Sequence, residues 1–324
     1  MSATPTATSS ERATHLTAPR PLGDRIFSIA AAAAGLLVLV ILVLIALSTG
    51  NEARPWFEAE GLTGILSNNW DPAHGHYGAL AFIYGTLITA TIAIIIAVPV
   101  SLGIALLIVE VVPKRVAQPI VWFIDLLAVV PSVVFGLWGI LVFAPWLAPH
   151  FKSIASAVEG IPVLDSLFGS PTSGQSFFTA GLILAVMIVP IVTSLSREVI
   201  ATTPPIEREA AYALGATKLE MITGAVWPHS KGGIVGAVML GLGRALGETI
   251  AAALVIGSSA QITAHLFSPG DSMPAVIANQ FGEASGTFRA ALIGLAVTLF
   301  FITIVVNVIA NTVVQRSIKK SRGV

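Results

Sequence analysis

The stretch Leu87-Ile88-Thr89-Ala90-Thr91-Ile92-Ala93-Ile94-Ile95-Ile96-Ala97-Val98-Pro99-Val100-Ser101-Leu102-Gly103-Ile104-Ala105-Leu106-Leu107-Ile108-Val109 has no charged side chain and lies inside an uncharged run from Pro72 to Val109. A helix needs about 20 largely apolar residues to cross the hydrocarbon of a bilayer, so this run is long enough to span. The runs Ile26–Asn51, Ser166–Ser196 and Ala290–Gln315 pass the same test without interruption. Val116–Phe151 passes it apart from Asp125, and Gly232–Gly270 apart from Arg244 and Glu248. A transmembrane barrel would show alternating segments of about ten residues instead. The reading is an all-α membrane protein with six spans, at about 26–48, 82–109, 118–143, 178–196, 232–257 and 290–312.

Composition agrees. Of the 324 residues 55% are hydrophobic and only 10% charged, and mean hydropathy is +0.88. A soluble domain carries roughly 25% charged residues, so a soluble enzyme, a disordered chain and a nucleic-acid-binding chain are all excluded. The 17 basic and 17 acidic residues balance, leaving no excess for a polyanion. Cysteine is absent, which removes disulfides and thiolate metal sites.

The first span exceeds the h-region of a signal peptide, and Leu47-Ser48-Thr49-Gly50 is a weak cleavage site, so the segment is expected to be retained. With the N-terminus inside, 13 of the 17 basic residues fall on the inner face, among them Arg25, Lys114, Arg197, Lys231 and Arg316. The positive-inside rule therefore puts both termini in the cytoplasm. The expected organisation is a disordered tail over 1–25, the first span over 26–48, an external loop over 49–79, a core over 80–315 and a basic tail over 316–324. Segments 144–177 and 258–289 read either as interfacial helices or as surfaces for an external partner. His74-Gly75-His76 offers two imidazoles, too few alone for a metal site.

The internal segment 197–231 is more than a loop. Pro204 and Pro205 stop one helix and suit the first turn of the next. Glu207 and Glu209 then lie where the helix dipole favours acids. Gly215 is placed for a left-handed helix end, Thr217 and Glu220 have capping-box spacing, and Pro228 is expected to break the chain before the fifth span. The predicted helix–turn–helix carries small side chains, Ala210, Ala211 and Ala213, which admit close approach by a partner's groove or by the chain's own bundle.

In the fifth span, Arg244 and Glu248 stand at i and i+4, the spacing of one helix face. A charge near the bilayer centre costs roughly 2.5–3.5 kcal/mol on insertion scales. The pair reads either as an ion pair that fixes helix register or as part of a translocation path, where the guanidinium fork suits an oxyanion. Gly243 and Gly247 would let another helix approach closely. Asp125 is a third intramembrane charge, either snorkelling or facing the bundle interior. Pro99, Pro131 and Pro190 are placed to kink their helices.

Glu209-Ala210-Ala211, three residues, Gly215, nine residues, then Ala225-Val226-Trp227-Pro228 resembles the EAA loop of ABC-importer permeases. Ala225 and Trp227 replace the usual Ile and Leu, both apolar departures. Tyr77-Gly78-Ala79-Leu80, Phe82-Ile83-Tyr84-Gly85-Thr86, Pro131-Ser132-Val133-Val134-Phe135-Gly136-Leu137-Trp138-Gly139, Gly241–Thr249 and Ala278-Asn279-Gln280-Phe281-Gly282-Glu283-Ala284 resemble the phosphate-specific permeases of the PstC type. The resemblance covers roughly residues 20–320. It implies a multi-pass permease of a bacterial cell membrane, of type I ABC importer architecture, that imports inorganic phosphate. It implies three protein partners: a companion permease (PstA type), two copies of an ATPase (PstB type) and an external phosphate-binding protein (PstS type). The segment 204–228, with Glu209, Ala210, Ala211 and Gly215, would couple to the ATPase, whose ATP binding drives the pore outward-facing and whose hydrolysis resets it. Arg244 and Glu248 would lie on the translocation pathway.

No Gly-Lys dipeptide occurs, so no P-loop of the GxxxxGK[ST] form is present and ATP hydrolysis is assigned to a partner. No catalytic residue, metal or cofactor is expected. A permease for molybdate, sulfate or phosphonate shares the class motif and stays open. A gradient-driven transporter would need no docking helix and often shows inverted repeats, of which none is evident. An intramembrane enzyme would want an HExxH helix or paired carboxylates, and Asp125 and Glu248 lie on different spans.

Overall fold

The computed structural model describes residues 22–61, 63–169, 171 and 173–321, without the side chains of 22 and 313–321. The tail expected over 1–25 thus lies almost wholly outside the described residues. Two compact units are present, residues 1–48 and 49–324. The described part of the first is the start of α1 (Leu22–Glu60), rich in Ala, Leu, Val and Ile.

In the second unit the end of α1 is followed by α2 (Thr63–Leu66), a two-stranded hairpin of β1 (Trp70–Asp71) and β2 (His76–Tyr77), and α3 (Leu80–Leu106). Then come α4 (Lys114–Val129), α5 (Ser132–Trp138), α6 (Ala144–Val158), α7 (Pro162–Phe168) and α8 (Phe177–Ala201). The chain closes with α9 (Pro205–Ala213), α10 (Lys218–Met221), α11 (Trp227–Gly247), α12 (Ile250–Val255), α13 (Met273–Gln280) and α14 (Gly286–Ser321). Of three π-helical turns, Gly139–Phe143 and Ile222–Val226 join helices without a loop, and Leu107–Val111 ends α3 before the extended residues Val112 and Pro113.

The core lies between α3 and α8. Ala90, Ala93 and Ala97 of α3 meet Ile183, Leu184, Met187 and Ile188 of α8. Small side chains let two membrane helices approach closely, since lipid gives no hydrophobic drive for association. The Ser101 hydroxyl donates across this seam to the Val189 carbonyl, at 3.2 Å. α11 packs on α8 through glycine: a Cβ on Gly241 would stand 2.7 Å from Val192 Cγ2. A second cluster gathers Trp56, Tyr77, Phe82, Met273 and Leu295, with the Trp56 indole donating to the Tyr77 carbonyl at 3.0 Å.

The segment after α12 is irregular yet packed. Phe177 N–H donates to Ser268 O at 3.2 Å, Phe178 N–H to Leu266 O at 3.0 Å, and Tyr84 O–H to Thr263 O at 2.6 Å. Gly85 faces the Asp271 carbonyl so closely that no Cβ fits between them. Phe267 is buried against Phe151 and Phe178. Residues 256–272 are therefore held to α3 and α8 by their own backbone bonds rather than standing free.

Five described helices are long and apolar enough to cross a membrane: Gly23–Glu60, Leu80–Val111, Ser132–Val158, Phe177–Ala201 and Gly286–Thr312. Several boundaries differ from the sequence reading. The third span, expected over 118–143, is broken at Val130, whose extended backbone (ψ 125°) precedes Pro131. The helical chain then runs on to Val158, and α6 and α7 occupy most of the expected loop 144–177. α1 continues to Glu60, into the expected loop 49–79, and α14 continues to Ser321, into the expected tail. Pro228 makes no break: it follows the π-helical turn Ile222–Val226 and Trp227 in a chain that is helical from Lys218 to Gly247. α11 falls outside the five apolar spans because glycine, His229, Lys231 and Arg244 dilute it.

Candidate docking segment and translocation face

The segment after α8 folds as its local signals dictate. Pro205 opens α9, and Gly215 closes the turn with φ +82°, a conformation that favours glycine. Leu214 N–H donates to Ala210 O at 3.2 Å and Gly215 N–H to Tyr212 O at 2.9 Å. Thr217 and Glu220 form the reciprocal capping box that opens α10. These hydrogen bonds from Thr217 hold the Glu220 carboxyl below its usual range.

One face of α9 is tied to the bundle and the other is open. Ala211 packs beside the buried cluster of Ala105, Ile200, Met221, Val226 and Ile234. Glu207 Oε2 lies 3.7 Å from His229 Nδ1 on α11, and Arg208 Nη2 lies 3.0 Å from Glu110 Oε1. On the open side Glu209 and Ala210 are exposed. Ile206, Leu214 and Leu219 are 73%, 90% and 71% exposed. Large apolar side chains so exposed at the end of a bundle suit a partner's groove.

The face of α11 between Ile191 of α8 and Asn307 of α14 carries Arg244. Gly236, Gly243 and Gly247 have no neighbour near a would-be Cβ, in contrast with Gly241. They border open cavities. The larger, about 680 Å³, is lined by Ile191, Gly236, Met239, Leu240, Gly243, Arg244 and Asn307. A second, about 310 Å³, shares Gly243 and adds Gly247, Ala296, Leu299, Phe300 and Thr303. Arg244 and Asn307 are the polar side chains on the larger cavity.

The spacing of Arg244 and Glu248 does not put them on one helix face. α11 ends at Gly247, and Glu248 has left the helix with ψ 123°. Among the described residues no ion pair joins the two. Asp125 does not face the bundle interior: it is exposed on α4 beside Trp122, Leu126 and Val129. His74 and His76 diverge, the first bonding Asp71 and the second lying 4.0 Å from Glu60. No group of three potential metal ligands occurs among the described residues.

Two features escaped the sequence reading. Asn307 joins Arg244's cavity from α14, and an amide within an uncharged apolar run was the available signal. Glu110 meets Arg208, 98 positions further along the chain, which no local pattern encodes. In the packed segment after α12, burial pushes the Asp271 carboxyl up to about 6, against an opposing 2.8 Å bond from Ser272 N–H.

Comparison with known proteins bears on this arrangement. Residues 97–322 match the family described as binding-protein-dependent transport system inner membrane component. A curated relative from Xylella fastidiosa (strain Temecula1 / ATCC 700964), named phosphate transport system permease protein PstC, is 42% identical over 298 residues, covering 92% of each chain. One of the same name from Haemophilus influenzae is 40% identical over 294 residues, covering 90% of this chain and 93% of that protein. Among solved structures, a bacterial alginate ABC transporter in complex with its pentasaccharide-bound periplasmic protein superposes with a TM-score of 0.58. It is 18% identical, covers 92% of this chain and 98% of that one, and so shares the fold.

Proposed function

The chain belongs to the binding-protein-dependent transport inner membrane component family, and we propose that it is the permease subunit of an ATP-driven inorganic phosphate importer. The observation that carries this reading is the 42% identity, across 92% of both chains, to a relative named as a phosphate transport system permease. The type I ABC importer permease fold and the apolar helices agree with a multi-pass protein of the bacterial inner membrane.

The site residues take their roles by physical argument. α9, with Glu209, Ala210 and Ala211, and the turn at Gly215 form the docking surface for a cytoplasmic ATPase dimer. Support comes from the exposed Ile206, Leu214 and Leu219 on an otherwise tied segment. Arg244 lines the translocation path: its guanidinium faces an open cavity with Asn307, and among the described residues it has no carboxylate partner. Glu248, at the break after α11, lies on the same path. The pathway is completed by a companion permease of the PstA type, the ATPase is of the PstB type, and a PstS-type protein delivers phosphate from outside. In this reading the chain has six spans with both termini cytoplasmic, which would put α9 on the ATPase side, and the excess of basic residues on that face supports it. The chain itself is not catalytic; hydrolysis belongs to its partner.

Competition tests the substrate. Labelled phosphate uptake at micromolar phosphate should be undiminished by excess sulfate, molybdate or phosphonate. Displacement by one of these would transfer the permease to that oxyanion.

A further inference from the structure

Arg208 joins three helices at one point. Its Nη2 donates at 3.0 Å to the Ile200 carbonyl in the last turn of α8, which also accepts Thr203 N–H at 3.2 Å. The same nitrogen lies 3.0 Å from Glu110 Oε1. Glu110 sits in the π-helical turn Leu107–Val111 that ends α3, and its side chain is only 8% exposed. Wide turns of this kind recur at functional positions. A side chain of the proposed docking helix thus holds the ends of both helices that form the core seam.

The contact is incomplete in a specific way. Glu110 Oε1 and Arg208 Nε are both buried without a hydrogen-bond partner, so the 3.0 Å approach is off the hydrogen-bond axis. An arginine fork and a carboxylate favour two parallel bonds. Here the groups are at ion-pair distance with the second donor unused, an arrangement that a small displacement of α9 would bring into register. A charged pair with one side chain 8% and the other 22% exposed is a costly way to hold a helix, because apolar residues of similar volume often do it as well or better. What the charged pair supplies is direction: a fork on a carboxylate resists sliding, whereas an apolar contact does not.

We propose that Glu110 and Arg208 are the link through which movement of α9 reaches the ends of α3 and α8, making Glu110 a positioning residue for coupled transport. The inference rests on the reading of α9 as the ATPase docking helix. A permease whose docking helix is loosely tied would let its partner hydrolyse ATP without moving the pore. One whose docking helix is held by this pair converts that movement into displacement of the core seam.

The test uses the whole complex, this chain with companion permease, ATPase and binding protein, reconstituted in proteoliposomes. It reads ATP hydrolysed per phosphate imported, with co-purification of the ATPase measured separately. Two variants are compared: Glu110→Gln, and the volume-matched apolar pair Glu110→Leu with Arg208→Met. Both are expected to assemble and to raise the ratio of ATP to phosphate by about tenfold. A wild-type ratio in either assembled variant overturns the proposal, and so does loss of assembly in both, which would make the pair a structural tie alone. If Glu110→Gln fails to assemble, the apolar pair decides by the same criterion. Failure of the wild-type chain to hold an ATPase at all would instead remove the docking reading beneath it.

Discussion

Arg244 and Glu248 are separated by the end of a helix rather than joined by one. α11 stops at Gly247, Glu248 turns away with ψ 123°, and the guanidinium is left facing an open cavity. An uncompensated charge at membrane depth is expensive and marks ion pathways more often than packing. Arg244→Gln is expected to lower phosphate uptake by about tenfold or more while leaving assembly intact. Normal uptake would reduce Arg244 to a packing residue. Because the two side chains make no pair, a double-mutant cycle on uptake with Glu248→Gln should give a coupling energy below about 0.5 kcal/mol. A larger coupling would mean that they interact during transport.

Gly215 fails by conformation, not by crowding. Its φ of +82° favours glycine, yet nothing lies within 4 Å of a would-be Cβ. Gly215→Pro cannot adopt that backbone and is expected to abolish ATPase co-purification and coupled uptake while membrane insertion persists. Gly215→Asn, which tolerates the left-handed region, should retain most of both. Survival of co-purification and transport in the proline variant would contradict the docking assignment.

Asp271 makes stability depend on pH. Its carboxyl titrates near 6 in the fold, against 3.8 in its unperturbed state. Between these values the folded chain holds a proton that the unfolded chain has released, so stability falls as pH rises from about 4 to about 6. The full difference is worth about 3 kcal/mol at most. Asp271→Asn should raise the melting temperature in detergent at pH 7 and leave it unchanged near pH 4. An equal effect at both values would remove titration as the cause.

Asn307 is the other polar group on Arg244's cavity. Asn307→Leu is expected to lower uptake at subsaturating phosphate by about threefold to tenfold without altering assembly. Asn311→Leu, one turn further along α14 and exposed, serves as the control and should transport normally. Equal loss in both would point to helix insertion rather than to the cavity.

What could be read in advance was what neighbours in sequence decide. Uncharged runs marked the apolar helices, and Pro205, Gly215 and the Thr217–Glu220 box marked the helices and turn after α8 residue by residue. Pro131 announced an irregularity, but whether it kinks or interrupts depends on how α4 and α5 pack. Gly247 and Thr249 are residues that can end one helix and start another, but Gly241 and Gly243 stand inside α11, so glycine alone did not show where it stops and i, i+4 spacing was followed there. The Glu110–Arg208 contact and the burial of residues 256–272 arise from packing between segments far apart in the chain. No periodicity or motif carries such information.

The central claim is tested most directly by labelled phosphate uptake in otherwise identical cells, compared with cells lacking this chain and cells lacking the ATPase. The account predicts that high-affinity uptake disappears in both deletions and returns when the missing gene is restored. Uptake that requires this chain but persists without the ATPase would contradict it and place the protein among gradient-driven carriers.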